Sequence, residues 1–133
     1  MIVSFTVPGK PVQWSVRAGW RRLYNPAPQR AHMKLIAQYA KLAMGKRKPM
    51  QGAVIGSITF YMPLPISWSK AKREKMLGAW HTQKPDATNL RKLVEDSLNK
   101  IVYEDDCQIA YYEYEAKRWA NAGSTEIKYW TED

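Results

Sequence analysis

Residues 2–7, Ile-Val-Ser-Phe-Thr-Val, are dominated by β-branched and aromatic side chains and predict an opening strand that ends at the turn Pro8-Gly9. Residues 12–24 predict a second extended segment, a basic hairpin in which Gly19 permits a tight bend, before the breakers Asn25-Pro26-Ala27-Pro28. From Gln29 the period changes. Leu35, Ile36, Tyr39, Ala40 and Ala43 recur at three- and four-residue spacing, which predicts a helix over 29–44 with Gly45 as its stop. His32, near its start, reads as a surface residue. Lys46-Arg47-Lys48-Pro49 then leads into a strand over 53–62, where Val54, Ile58, Phe60 and Met62 stand in phase before Pro63 and Pro65. Ser67 predicts the N-cap of a short charged helix over 69–77, closed by Gly78, with too little apolar surface to be more than peripheral.

The next stretch, His81 to Gln108, is the most informative. A helix over 89–101 would carry Leu90, Leu93, Val94, Leu98 and Ile101 on one stripe, with Asn89, Lys92 and Asp96 on the opposite face. Thr88 or Asp86 would cap it. Ile101-Val102-Tyr103 reads as extended and Glu104-Asp105-Asp106 as an acidic turn. Residues 109–119 predict a long strand with Tyr112, Tyr114 and Ala116 on one face and Glu113, Glu115 and Lys117 on the other. Asn121-Ala122-Gly123 marks a turn into a closing strand with Thr125, Ile127 and Tyr129 in phase. The order β-β-α-β-α-α-β-β predicts one α+β domain over 1–133, a mixed or antiparallel sheet with helices packed on it.

Composition sharpens this outline. A chain of 133 residues with 45% hydrophobic and 25% charged residues can bury a core of its own, and this balance argues against global disorder. No apolar run approaches the ~20 residues of a membrane span, and the N-terminus lacks the features of a signal peptide. The single cysteine, Cys107, cannot form an internal disulfide, so a reducing cytoplasmic setting is expected. Twenty-one Lys and Arg against twelve Asp and Glu give a net charge of +9, which points to a polyanionic partner. The positive charge gathers at 17–22, 46–48 and 70–75, interleaved with Trp14, Trp20, Tyr24, Trp68 and Trp80, as on a phosphate-contacting surface.

Carboxylates concentrated within such a positive field suggest divalent metal held against a polyanion. Phosphodiester hydrolysis needs a nucleophilic water and relief of charge on the phosphate, and magnesium supplies both through oxygen ligands. Lys92, on the helix face of Asp96, is suited to stabilising transition-state charge. A helix of a dozen residues is ~18 Å long, so Asp106 could approach Asp86 only if the chain after Asn99 doubled back. Each feature also has an ordinary structural use: Asp before a helix as a cap, Asp-Asp in a turn as solvated charge, Lys92 and Asp96 as an i,i+4 surface pair. Cys107, with no histidine nearby in sequence and acidic neighbours that would raise its pKa, reads as a small packing residue.

The stretch nevertheless resembles the RusA-type Holliday-junction resolvases. The residues that carry the resemblance are Lys84-Pro85-Asp86, Asn89-Leu90, Lys92, Asp96 with Leu98, and Asp105-Asp106-Cys107-Gln108-Ile109, about a fifth of the chain. Val7-Pro8-Gly9-Lys10-Pro11 extends it more weakly to the start. The resemblance implies a homodimeric, Mg2+-dependent (or Mn2+-using) endonuclease, often phage or prophage encoded, that nicks four-way DNA junctions in pairs during recombination and repair. It implies catalytic roles for Asp86, Asp106 and Lys92 and metal ligation by Asp86 and Asp106; Asp105 is the neighbouring candidate ligand, and Lys84, Arg17, Arg21 and Arg22 are read as the residues that hold the DNA backbone. One position departs: Thr88 stands where the family carries a second aspartate. Asp105, Asp96 or His81 are the candidates to complete the metal shell in its place. A non-catalytic junction- or duplex-binding protein with a degraded metal site is the alternative.

Overall fold

The computed structural model describes residues 1–15, 17–19, 22–24 and 27–132. Its main sheet has the strand order β1 (Ile2–Pro8), β6 (Ser124–Trp130), β4 (Val54–Pro63), β5 (Ile109–Ala120). β6 is antiparallel to both β1 and β4, whereas β4 and β5 run parallel, so the sheet is mixed. The hairpin region forms a separate two-stranded sheet, β2 (Arg17–Gly19) with β3 (Arg22–Tyr24). Three helices complete the α+β domain: α1 (Ala27–Met44), α2 (Lys70–Met76) and α3 (Ala87–Leu98).

β4 is central and buried along most of its length, as a strand flanked on both sides must be. Val3, Val7, Ile58, Phe60, Ile127 and Tyr129 project from one face of the sheet into the core, where Ile36 and Ala40 of α1 and Leu90, Leu93, Val94 and Leu98 of α3 meet them. Ser4, Thr6, Ser57, Glu126 and Lys128 line a shallow hollow of the sheet. No helix among the described residues is long and apolar enough to cross a membrane.

Several element boundaries differ from the sequence pattern, each for a physical reason. α1 begins at Ala27 because proline is tolerated in a first turn, where its missing N–H has no helical acceptor anyway. His32 is buried, not on the surface: it shares the stripe Gln29, His32, Ile36, Ala40, and burial lowers its pKa. Ser69, rather than Ser67, caps α2, its hydroxyl accepting from the Lys72 amide at 3.2 Å. α2 buries nothing and is peripheral as expected. α3 runs from Ala87 with Asp86 as N-cap and stops at Leu98, two residues before Lys100 takes a left-handed φ of 70°.

The largest difference lies in β5. Its pairing with β4 slips twice: Val54 faces Ile109 but Ile55 faces Tyr111, and Gly56 faces Tyr112 but Ser57 faces Tyr114. Each slip is an extra residue on β5, which reverses the alternation after it. The pattern of Tyr112, Tyr114 and Ala116 on one face therefore fails. Tyr112, Glu115, Lys117 and Trp119 share the face that meets α3 and the chain leading into it, while Tyr114 is exposed. Gly56 is required beneath this arrangement. A Cβ there would stand 2.5 Å from Tyr112 Cε1 and 2.7 Å from Tyr129 Cε1.

Candidate active site

The chain turns back beside α3 only along β5, after Asp106, so the return that would carry Asp106 to Asp86 is not made. Arg91 of α3 reaches Glu115 at 2.6 Å and Glu95 at 3.5 Å, and its guanidinium lies 5.0 Å from the Tyr112 ring centroid. Tyr112 donates to Glu95 at 2.8 Å and its hydroxyl lies 2.8 Å from that of Tyr129. Tyr103 donates to the Glu95 carbonyl at 2.8 Å. Burial first, then neighbouring Asp106 and Asp96, push the Glu95 carboxyl above its ordinary range, while Tyr112 and Arg91 hold it down. This partly buried network fixes the rotation of α3 against the sheet.

Rotation so fixed puts Lys92 and Asp96 on the outer side of α3, the ammonium 3.6 Å from the carboxylate. Trp14 covers Lys92, its ring centroid 4.7 Å from Nζ. The Trp14 segment is itself held: its amide donates to the Asn89 carbonyl at 2.9 Å, and the next amide, Ser15, donates to the buried Gln29 side chain at 2.7 Å. Sequence reasoning missed Trp14 as part of this site, since nothing local links it to residue 92.

Asp106 opens a single 3-10 turn, Asp106–Gln108, and comes within hydrogen-bonding reach of Asp96. The Asp96 carboxyl is raised above its ordinary range by burial and by this neighbour, against the pull of Lys92. Asp105 is spent differently. Its carboxylate accepts from the Cys107 amide at 3.1 Å, the Asp105 amide donates to the Gln108 side-chain oxygen at 2.9 Å, and the bonds from the Cys107 thiol and then its amide hold the Asp105 pKa low. Gln108 also donates to the carbonyls of Met50 and Gly52, at 2.9 and 3.0 Å, anchoring the turn to the chain before β4. Cys107 is exposed rather than a packing residue, and the Asp105 carboxylate beside it raises its pKa.

Asp86 stands at the other end of α3, ten residues or ~15 Å of axial rise from Asp96. It occupies the N-cap position yet makes no side-chain cap bond, so its carboxylate is not spent there. The charged group that β5 brings towards it is Lys117, whose ammonium donates to the carbonyls of Gln83 and Pro85 at 2.7 and 2.8 Å. Thr88 is exposed, one turn before Lys92 on the row Thr88, Lys92, Asp96. His81 is buried against Trp119, ring centroids 4.3 Å apart, and burial lowers its pKa.

Of the expected DNA contacts, Lys84 is exposed beside this end of α3. Arg21 lies outside the described residues, as do the side chains of Arg17 and Arg22, whose backbones belong to β2 and β3. Arg47, counted in a basic cluster, instead binds the carbonyls of Ile2, Ala43 and Met44 and closes α1.

The donor set suits a hard divalent cation. Two carboxylates at hydrogen-bonding reach repel each other unless a proton or a cation lies between them, and magnesium asks for one or two carboxylates with water completing its shell. No group of three or more Asp, Glu, His or Cys capable of holding a metal occurs among the described residues.

Comparison with known proteins gives two likenesses. Residues 7–129 match the family model described as endodeoxyribonuclease RusA. The uncharacterized protein YqaN of Bacillus subtilis (strain 168) is 34% identical over 119 residues, covering 80% of this chain and 81% of that protein.

Proposed function

This chain belongs to the RusA endodeoxyribonuclease family, and from that premise we propose that it is a Mg2+-dependent nuclease that resolves four-way DNA junctions by paired nicks in recombination and repair. The observation that supports this reading is the Asp96–Asp106 carboxyl pair with Lys92 beside it, an acidic focus on a protein of net charge +9. Asp106 and Asp96 would hold the ion, Asp96 standing in for the carboxylate absent at Thr88. Asp86, uncommitted at the cap of the same helix, is the proposed further carboxylate of the site. Asp105, the remaining carboxylate of the resemblance, shapes the turn that presents Asp106.

When bound, magnesium neutralises phosphate charge and acidifies a water. Lys92 then stabilises negative charge developing on the scissile phosphate, and Trp14 restricts where its ammonium travels. Lys84, with Arg17, Arg21 and Arg22, would contact the DNA backbone, so affinity falls steeply with salt and carries little sequence information. A homodimer would match the twofold symmetry of the junction and explain paired cuts.

The test is incubation of purified protein with a synthetic four-way junction and Mg2+ or Mn2+, with linear duplex as control. Paired nicks in the junction are expected. Binding without nicks under either metal supports the second reading, a junction-binding protein with a degraded metal site, which Thr88 favours. Absence of any salt-sensitive DNA binding removes both.

A further inference from the structure

Beside the N-terminal end of α3 lies a hollow of about 170 Å³ that the carboxylate chemistry does not use. Its walls come from distant parts of the chain: Pro63 and Pro65 after β4, Trp119 of β5, and Pro85 at the entry to α3. Lys10 and Lys84 stand among these apolar groups, and Gln83 adds a further polar side chain. His81 also lines it. That histidine is 6% exposed, and its Nδ1 is buried with no hydrogen-bond partner. A buried imidazole nitrogen left without a partner costs free energy, and a polar group entering the hollow is the partner that this ring lacks.

Three properties define what would fit. The volume is below that of a drug-sized pocket, so the occupant is a single small ring system rather than a chain of them. The walls combine prolines with the ring pair of Trp119 and His81, centroids 4.3 Å apart and planes inclined at 53°, an aromatic and apolar lining of the kind that receives a heterocyclic base. The two lysines supply a phosphate with its counter-charges. The wall is also pre-set. Lys117 clamps the carbonyls of Gln83 and Pro85, and the His81 amide donates to the Lys117 carbonyl at 2.9 Å, so the loop from His81 to Asp86 is tied to β5 at both ends.

We propose that this hollow is a nucleotide subsite that takes one unpaired nucleotide of the substrate DNA, its base between the prolines and the His81–Trp119 pair and its phosphate against Lys10 and Lys84. The inference rests on the DNA-cleaving reading for its biological use, though not for its chemistry. A base stacked within a continuous duplex cannot enter, whereas one displaced at a branch point can, since unstacking is least costly where pairing is already interrupted. The subsite would therefore favour branched over linear DNA close to Asp86.

The chain has two histidines, so the imidazole of His81 can be followed by 15N–1H NMR with buried His32 as an internal control. Metal-free protein is titrated with each of the four deoxynucleoside 5′-monophosphates, with 2-deoxyribose 5-phosphate and with inorganic phosphate. The expected result is a saturable shift of the His81 resonances while His32 stays still. At least one nucleotide should bind about 5-fold or more tighter than the sugar phosphate, the low end of what base stacking contributes. Lys84→Ala, at an exposed position, should weaken the same titration. Equal binding by inorganic phosphate, or a silent His81 with all four nucleotides, overturns the proposal. Junction cleavage with a silent His81 sinks the subsite alone, and nucleotide binding at His81 without junction cleavage sinks the nuclease reading alone.

Discussion

Replacing Arg91 by leucine would test how the site is held in place. Arg91 joins α3 to β5 through Glu115 at 2.6 Å and to its own helix through Glu95 at 3.5 Å. The side chains of the three are 31%, 19% and 20% exposed, so leucine would leave two partly buried carboxylates without their cation. Breaking a fully buried pair costs ~3–5 kcal/mol, and a hydrogen bond to a charged group is worth ~1.5–3 kcal/mol. Partial exposure selects the lower end, about 2 kcal/mol. At ~2.1 cal/mol/K of unfolding entropy per residue, this chain would lose about 7 °C in Tm.

The loss should depend on pH in a definite direction. The Glu95 carboxyl already lies above its ordinary 4.5, chiefly through burial, and Arg91 is one of the groups holding it down. A carboxyl raised in the folded state supports the fold below its unfolded pKa, and that support disappears as pH rises through the folded pKa. Removing Arg91 raises Glu95 further, so the deficit of Arg91→Leu should be larger at pH 7.5 than at pH 4.5. Urea unfolding at the two pH values measures it. A deficit below ~0.5 kcal/mol at pH 7.5, or equal deficits at both, refutes the reasoning. The double variant Arg91→Leu with Glu115→Leu should recover more than half, since an apolar pair leaves no orphaned charge there.

Other expectations follow from the same geometry. Asp106→Asn should bring the Asp96 carboxyl down towards its ordinary value in a carbonyl NMR titration, and should abolish metal-supported cleavage while sparing junction binding; an unmoved Asp96 would mean the two are not electrostatically joined. Because burial and the neighbouring Asp106 raise the Asp96 carboxyl, and its proton must leave before a cation binds there, metal affinity in the wild type should rise with pH as Asp96 ionises, which calorimetry at stepped pH would read. Thr88→Asp should restore a carboxylate on the row of Lys92 and Asp96 and increase Mg2+-supported nicking in a gel assay. Leu93→Ala, at a position with no exposure on α3, should cost ~2–5 kcal/mol by chemical denaturation, and a smaller loss would contradict the tight core packing described for this helix.

What the sequence conveyed was whatever repeats locally. The stripe Leu90, Leu93, Val94, Leu98 is a property of one helix, and it fixed α3 and its outward face with Lys92 and Asp96 before any fold was known. The order of elements left the sheet mixed or antiparallel, and only the parallel pairing of β4 with β5 makes it mixed. The face assignments of β5 were not legible either, because a strand's parity is counted against its partner, and the slips opposite Ile55 and Ser57 exist only in the pairing with β4. The meeting of Asp106 with Asp96, and of Trp14 with Lys92, were invisible for a related reason: both are set by where the 3-10 turn and the Gln29-anchored segment land on α3. His32 misled because a titratable residue reads as polar in a pattern, although one neutral imidazole fits a helix stripe at little cost. Asp105 and Asp106 look equivalent in sequence, and only the cap geometry separates the one that builds the turn from the one that is presented by it.

The two slips in β5 make that strand a counter. Its inward residues fall at 109, 112, 115, 117 and 119, two steps of three followed by steps of two, and each inward residue downstream is assigned by that count. Ala110 and Glu113 face no residue of β4, so deleting either would remove its slip and leave every pair downstream in place. A single-residue deletion at Ala116, where the pairing is one to one, would instead carry the rest of the strand into the opposite phase, turning Lys117 away from the Pro85 carbonyl and Trp119 away from His81 at one stroke. Length variation is therefore absorbed in the first half of β5 and disruptive in the second, a constraint on how such chains diverge that no single residue in β5 carries by itself.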